Sequence, residues 1–464
     1  MVPSGVKIET MNALSLTALL NSPVVPFTGT PRMVYMLVEI GGGKESTSMP
    51  VNLGLVIDAS ESMQVRLVTK NQFKQLLSSG GTNKILKDGI PAWEVDSIPG
   101  SVLNTFPRKI DYVSDALQAV SEYLRPGDYF SLAAFASRAE LLLPMTSGRD
   151  RYRLSQKARK LENLRLGDDT RMAEGIRLAY TEIREKQQDN LAGRMILLTD
   201  GYTQDAKECY EWAQRAKDKG LVITTMGLGV EFNEDLLIPI AEMTGGNAYY
   251  VEKPGQVIDA FRQELGAAFG ITYHGLKLHI HPSSGVELRQ IYRVHPEIGK
   301  IKFESSQQGR NSCFLGNYDP DLPPAVLLEL IVPPWSEGVF KMASLRLSWQ
   351  GELGRIEESS SASDIEIRIT PFHEGTSNER VTEIVNKVGA FKFGNFALEE
   401  VKKTNQTTAI KRLRLAAKRY QDVGETALSD EMTKMADRLD KREKLDSNAT
   451  KKIRYETRLI SRKS

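Results

Sequence analysis

Cysteine is nearly absent from this chain, with Cys209 and Cys313 the only two among 464 residues. They fall in different predicted domains. That spacing excludes a disulfide framework and reads as inert core thiols in a reduced compartment. Charge of one sign is lacking too: 61 Lys+Arg stand against 59 Asp+Glu, a net +2, so nothing global points to nucleic acid or an anionic membrane surface. Long apolar runs are missing. The stretches at 132–143 and 325–333 fall short of the ~20 residues that span a bilayer. The N-terminal MVPSGVKIETMNAL has neither the basic start nor the unbroken apolar stretch of a secretory signal, so the expected location is the cytoplasm. Histidine is scarce, and His274, His279, His281, His295 and His373 all occur late in the chain. His279 and His281 alternate on one predicted strand, yet no Cys, Asp or Glu cluster completes a zinc set near them, and they read as packing or surface residues.

What is present is length, enough for roughly three domains. VNLGLVID at 51–58 is almost wholly apolar and ends in an acid, as expected of a parallel strand buried on both faces. DYFSLAAFAS, MILLTDG and VITTMGLG behave alike. Amphipathic helical stretches at 110–124, 171–186, 205–219, 234–243 and 255–268 alternate with them. The alternation predicts a doubly wound, Rossmann-like α/β domain over 46–269, with ligands outside the carboxyl ends of its strands.

Residues 65–109 interrupt this rhythm as an insertion far longer than a usual βα loop. It is expected to hold a short helix at 71–77, then Gly80 and Gly81, then an irregular stretch with Pro91, Trp93, Pro99 and Pro107. Leaving from a central strand end, it reads either as a lid on the ligand crevice or as passive surface elaboration. Trp93 reads either as an interface anchor or as a side chain packed under its own loop.

From 271 the texture turns to period-2 strands such as HGLKLHIHP, AVLLELIVPP and IEIRIT, which predict an antiparallel β domain over 270–370. Two strand-like runs at 13–20 and 33–40 are not stable alone and are expected to complete it, giving a discontinuous β-sandwich with the α/β domain inserted. A helical segment over 371–464 closes the chain, with 21 Lys+Arg against 14 Asp+Glu; that local excess of +7 reads as solvated helix surface.

The chemistry concentrates at Asp58, Ser60 and Ser62, a D-x-S-x-S turn at the end of the first α/β strand. Thr170 in GDDTRMAEG and Asp200 in MILLTDG fall on the same predicted sheet edge. Two carboxylates and three hydroxyls form an all-oxygen set suited to Mg²⁺, Mn²⁺ or Ca²⁺, and leave coordination positions for an outside oxygen. Glu61, between the two serines, is expected to point its side chain away from the metal, and Asp168 and Asp169 read as exposed loop acids.

D-x-S-x-S, then a separate Thr, then Asp in L-L-T-D-G resembles the metal-ion-dependent adhesion site of von Willebrand factor A (VWA) domains over about residues 50 to 268. The resemblance implies that Ser60, Ser62 and Thr170 give hydroxyl oxygens to the metal, that Asp58 and Asp200 act directly or through water, and that the ligand brings an acidic side chain. The insertion departs from the compact members. VNLGLVIDASESM and the ending KKIRYETRLI are similar to bacterial cytoplasmic VWA proteins, some of which work beside MoxR-type AAA+ ATPases. The implied function is a non-enzymatic adaptor whose metal grips an acidic residue of a partner protein. A Mg²⁺-dependent phosphohydrolase is the second class, opposed by Ser60 standing where haloacid dehalogenase-like enzymes need an acid. An RNA-associated scaffold using the basic tail is the third.

Overall fold

A computed structural model describes residues 14–42, 49–79, 82–87, 90–95, 99–167, 169–186, 191–306, 309–350, 356–358, 364–371, 377–403, 406–443, 445 and 447–460. Gly80, Gly81, Asp168 and His373 lie outside them. Two compact units form: Ser48–Gly270, and Met1–Thr47 together with Ile271–Ser464. The chain first lays down β1 (Leu14–Leu20), β2 (Val24–Pro26) and β3 (Arg32–Gly42) of the discontinuous unit.

The continuous unit comprises β4 (Val51–Asp58), α1 (Lys70–Ser79), β5 (Thr82–Lys87), β6 (Ile90–Val95), α2 (Gly100–Leu103), α3 (Lys109–Tyr123), β7 (Tyr129–Phe135), β8 (Ala139–Ser147), α4 (Tyr152–Leu161), α5 (Met172–Glu185), β9 (Ala192–Thr199), α6 (Ala206–Asp218), β10 (Val222–Leu228), α7 (Glu234–Thr244), β11 (Ala248–Val251) and α8 (Val257–Phe269). Its main sheet runs β11-β10-β9-β4-β7-β8, parallel except for β8 against β7. β4, β9 and β10 are buried along their whole length because helices cover both faces. Leu53, Leu55 and Ile57 share a core with Ile110, Leu117 and Phe261 of α3 and α8. On the other face, a Cβ on Gly54 would meet Ile183 Cδ1 at 2.9 Å, and one on Gly175 would meet Phe135 Cδ1 and Val56 Cγ1 at 2.9 Å each. α5 therefore lies against β4 and β7 closely enough to require glycine.

The sequence reading passed over β8, β11 and α4. β8 is a half-exposed antiparallel edge, β11 has four residues, and α4 buries only Leu154, Ala158 and Leu161, so each carries a weak apolar pattern. It also needs correction in the insertion. The stretch expected to be irregular contains a hairpin, with β5 and β6 paired from Thr82↔Val95 to Lys87↔Ile90. Trp93 meets Phe73 of α1 edge-on at 5.6 Å between centroids and keeps about half its surface exposed.

The discontinuous unit continues with β12 (Tyr273–Pro282), β13 (Glu287–His295), β14 (Gly299–Ile301), β15 (Glu304–Ser305), β16 (Asn311–Tyr318), β17 (Ala325–Val332), β18 (Gly338–Gln350), β19 (Ile356–Glu358), β20 (Asp364–Thr370), and helices α9 (Glu379–Lys402), α10 (Gln406–Asp422), α11 (Thr426–Asp440) and α12 (Ser447–Glu456). One sheet runs β1-β3-β17-β13-β14; the other runs β15-β16-β12-β18-β20-β2, with β19 on β18. N-terminal strands thus contribute to both. Met36, Val38, Leu328 and Leu330 face Leu278, Ile280, Leu345, Leu347 and Ile367 in the sandwich core. The alternate residues Leu37, Tyr292 and Leu327 turn to the opposite face and pack with Phe391, Leu413, Tyr420 and Met432 of the helices. No helix among the described residues is long and apolar enough to cross a membrane.

Candidate metal centre

β4 and β9 are neighbouring parallel strands with Ile57 opposite Leu198, so both release their chains at one edge of the sheet. Asp58 ends β4, and its carboxylate is fixed on both oxygens: Ser60 N–H donates to Oδ1 at 2.9 Å and Thr199 Oγ1 to Oδ2 at 2.5 Å. A single turn of 3₁₀ helix from Glu61 to Gln64 then brings Ser62 round, with its Oγ 2.9 Å from Ser60 Oγ. Ser62 Oγ donates to Asp200 Oδ1 at 2.6 Å. Asp58, Ser60, Ser62 and Asp200 are thereby joined in one hydrogen-bonded chain, each with no surface exposed.

Thr170 is placed by a different route. It precedes α5, and its carbonyl accepts from Gln204 N–H at 3.1 Å and Thr203 Oγ1 at 3.0 Å, which ties it to the loop following Asp200. Asp205 in that loop caps α5, accepting from Met172 N–H at 3.0 Å and Ala173 N–H at 3.1 Å. The Thr170 hydroxyl itself is buried and has no hydrogen-bond partner among the described residues. Such an orphan carries a desolvation cost that a ligand can relieve.

Electrostatics point the same way. Burial, and next the Asp200 carboxylate, push the Asp58 carboxyl up to about 7 against the lowering effect of the Ser60 and Thr199 hydrogen bonds. Two adjacent buried carboxylates favour a cation. One is supplied by Lys109, whose Nζ lies 2.5 Å from Asp200 Oδ2. Sequence reasoning missed Lys109, Thr199 and Asp205. The one signal for Lys109 was its place as the first residue of α3, where the positive end of the helix dipole disfavours an ammonium without a nearby anion.

Of the flanking acids, Asp169 is exposed and accepts from Gln204 Nε2 at 2.9 Å. Glu61 is partly buried in the 3₁₀ turn. His279 Nε2 pairs with Ser348 Oγ at 2.8 Å, and no group of three or more His, Cys, Asp or Glu suited to a metal occurs among the described residues. The candidate site differs from such groups because three of its five residues are hydroxyl-bearing and only two are acids.

The insertion is pinned at its neck beside this site. Leu67 N–H donates to Pro107 O at 2.8 Å, and Arg66 donates to Phe106 O and Asn104 Oδ1, both at 2.7 Å. Arg108 in turn pairs with Asp111 at 2.6 Å, and donates to Gln64 Oε1 at 2.9 Å and Glu162 O at 2.6 Å.

Residues 100–263 match the family model of the von Willebrand factor type A domain. The chain carries a VWA domain. The matched stretch includes Lys109, Thr170 and Asp200 and begins after Asp58, Ser60 and Ser62. Residues 379–463 match the Sll0103-like, C-terminal alpha-helical domain. Uncharacterized protein sll0103 of Synechocystis sp. is 23% identical over 315 residues, 67% of this chain and 74% of that protein. The structure of a von Willebrand factor type A protein from Catenulispora acidiphila superposes with a TM-score of 0.73 at 13% identity, covering 97% of this chain and 98% of the other. The ArnB paralog VWA2 from Sulfolobus acidocaldarius does so with 0.53 at 16% identity, covering 97% and 99%. At these identities the two structures show a shared fold.

Proposed function

We propose that the VWA domain is a metal-dependent protein-binding module, with Asp58, Ser60, Ser62, Thr170 and Asp200 holding Mg²⁺, or Mn²⁺ or Ca²⁺ in its place. The observation that carries this reading is the buried, unpartnered Thr170 hydroxyl on the same edge as the two fully buried carboxylates, which are linked through Ser60 and Ser62. The donor set fits: it is all oxygen, as hard cations require, and three of its five residues are neutral hydroxyls, which leaves coordination positions for an outside oxygen. The bound ion would supply an electropositive pole for an outside carboxylate. Thr199 and the Ser60 amide hold Asp58 in orientation, and the Asp205 cap holds the Thr170 backbone.

An acidic side chain of a partner protein is the ligand, and a MoxR-type AAA+ ATPase is the partner class that the resemblance implies, acting in the cytoplasm. A phosphohydrolase is less well supported, since Ser60 offers no second acid beside Asp58. RNA binding by the tail has less support, because part of its basic excess is paired with acids, as Lys434 is with Glu431, Arg414 with Asp437 and Asp440, and Arg454 with Glu399. Calorimetry with Mg²⁺, Mn²⁺ and Ca²⁺ on the wild type and Asp58→Ala tests the site, and a partner pull-down with and without chelator tests its use. Metal-independent capture overturns the mechanism.

A further inference from the structure

Both oxygens of Asp200 are engaged, Oδ1 by the Ser62 hydroxyl and Oδ2 by the Lys109 ammonium. The Lys109 side chain is 12% exposed and Asp200 is fully buried, so this ion pair is poorly screened by solvent. A divalent ion using Asp200, directly or through water, brings a second cation to the same buried carboxylate, and the two repel strongly in a low dielectric. We infer that Lys109 is a tethered counter-cation that competes with the divalent ion for Asp200, so that the neck of the insertion sets the affinity of the metal centre. The inference rests on the metal reading above.

Three features fit Lys109 for exchange rather than permanent pairing. It opens α3, where the helix dipole works against its charge, so Asp200 is what holds the ammonium in place. Its backbone stays anchored by the buried Ile110 and Val113 that follow, and by the Arg108 guanidinium on Gln64, Asp111 and Glu162. Only the side chain has to move. The exchange is also one cation for another, so the paired carboxylates need not be left buried and uncompensated, the state that makes a broken buried ion pair costly. Lys109 N–H also bonds Val65 O at 3.4 Å, so the clasp between residues 65–67 and 106–109 holds the backbone from which the ammonium reaches Asp200. A partner that shifts the insertion would thereby change metal affinity at Asp200.

The test uses the full chain and Mn²⁺. Calorimetry on the wild type, Lys109→Met and Lys109→Gln should show both variants binding Mn²⁺ tighter by about tenfold or more, as removal of a competing like charge beside a buried carboxylate requires. In chelator the variants should melt below the wild type, and saturating Mn²⁺ should close most of that gap. Equal or weaker Mn²⁺ binding by the variants, with the wild type binding normally, overturns this inference and leaves the metal reading standing. Absence of Mn²⁺ binding in the wild type and both variants overturns the metal reading itself. A second measurement needs no substitution: acetic anhydride labelling of the native wild type, read by peptide mass spectrometry, should rise at Lys109 when Mn²⁺ saturates the site. Unchanged labelling at saturation means that the ammonium is not displaced, and the competition fails.

Discussion

Ser62 Oγ donates to Asp200 Oδ1 at 2.6 Å, joining side chains 138 positions apart. The bond exists because β4 and β9 are adjacent and parallel, so that the turn leaving one strand and the acid leaving the other share a sheet edge. A doubly wound sheet places its ligand crevice there.

Asp58→Ala and Asp200→Asn should each weaken Mg²⁺ or Mn²⁺ binding by more than about 100-fold, beyond the range of outer-shell changes. Far-UV circular dichroism should be unchanged for Asp58→Ala, which relieves the repulsion between two adjacent buried carboxylates, while Asp200→Asn should fold but melt lower because Lys109 loses its carboxylate. Retained affinity in both variants would place the metal elsewhere.

Asp205→Ala tests the support beneath Thr170. It strips the cap from the Met172 and Ala173 amides, a loss of about 0.5–2 kcal/mol in stability. Mn²⁺ affinity should fall by about tenfold as Thr170 loses its fixed position. Thermal melts and calorimetry read the two effects separately, and a stability loss without an affinity loss means that Thr170 is held by other contacts.

Gly175→Ala places a methyl group of α5 2.9 Å from both Phe135 Cδ1 and Val56 Cγ1 of the sheet beneath it. Overpacking of this kind costs about 1–3 kcal/mol. The melting temperature should fall by roughly 2–4 °C for each kcal/mol lost in a domain of this size. An unchanged melt would show that α5 can shift away from the sheet freely.

The cysteines should be inert in the native protein. Cys209 has no exposed surface and Cys313 has 3%; burial, then Asp205, push the Cys209 thiol well above its ordinary range, so its thiolate is scarce near pH 8. Iodoacetamide should label neither residue before denaturant is added and both afterwards. Rapid native labelling at Cys209 would reveal opening of α6.

Replacing residues 70–103 by a short Gly-Ser linker keeps the clasp around Arg66 and Arg108 and removes α1, the hairpin and α2. If these elements act as a lid, Mn²⁺ should dissociate faster even though Lys109 and the clasp that carries it are retained. Stopped-flow release into chelator measures this, and an unchanged rate identifies the insertion as surface elaboration.

The α/β fold and the five candidate site residues were legible because their signals are local. A strand buried on both faces is a continuous apolar run, and D-x-S-x-S and L-L-T-D-G each fit within one turn at such a strand's end. The hairpin of β5 and β6 falls in the stretch expected to be irregular, where its short strands carry no clear alternation of apolar and polar residues.

Other features have no local signature. Thr199 reaches Asp58 across 141 positions and Lys109 reaches Asp200 across 91, pairings that follow from strand order and from the neck that aims α3. The two-sided role of the β1-β3-β17-β13-β14 sheet is of the same kind. Met36 and Leu37 are both simply apolar in sequence, and only the packed structure assigns one to the sandwich core and the other to the helices. Sequence determined which segments form strands and helices and which side chains carry oxygen chemistry, because those depend on neighbours within a few residues. Tertiary structure decided which charge stands against which carboxylate, because that depends on the register of elements far apart in the chain.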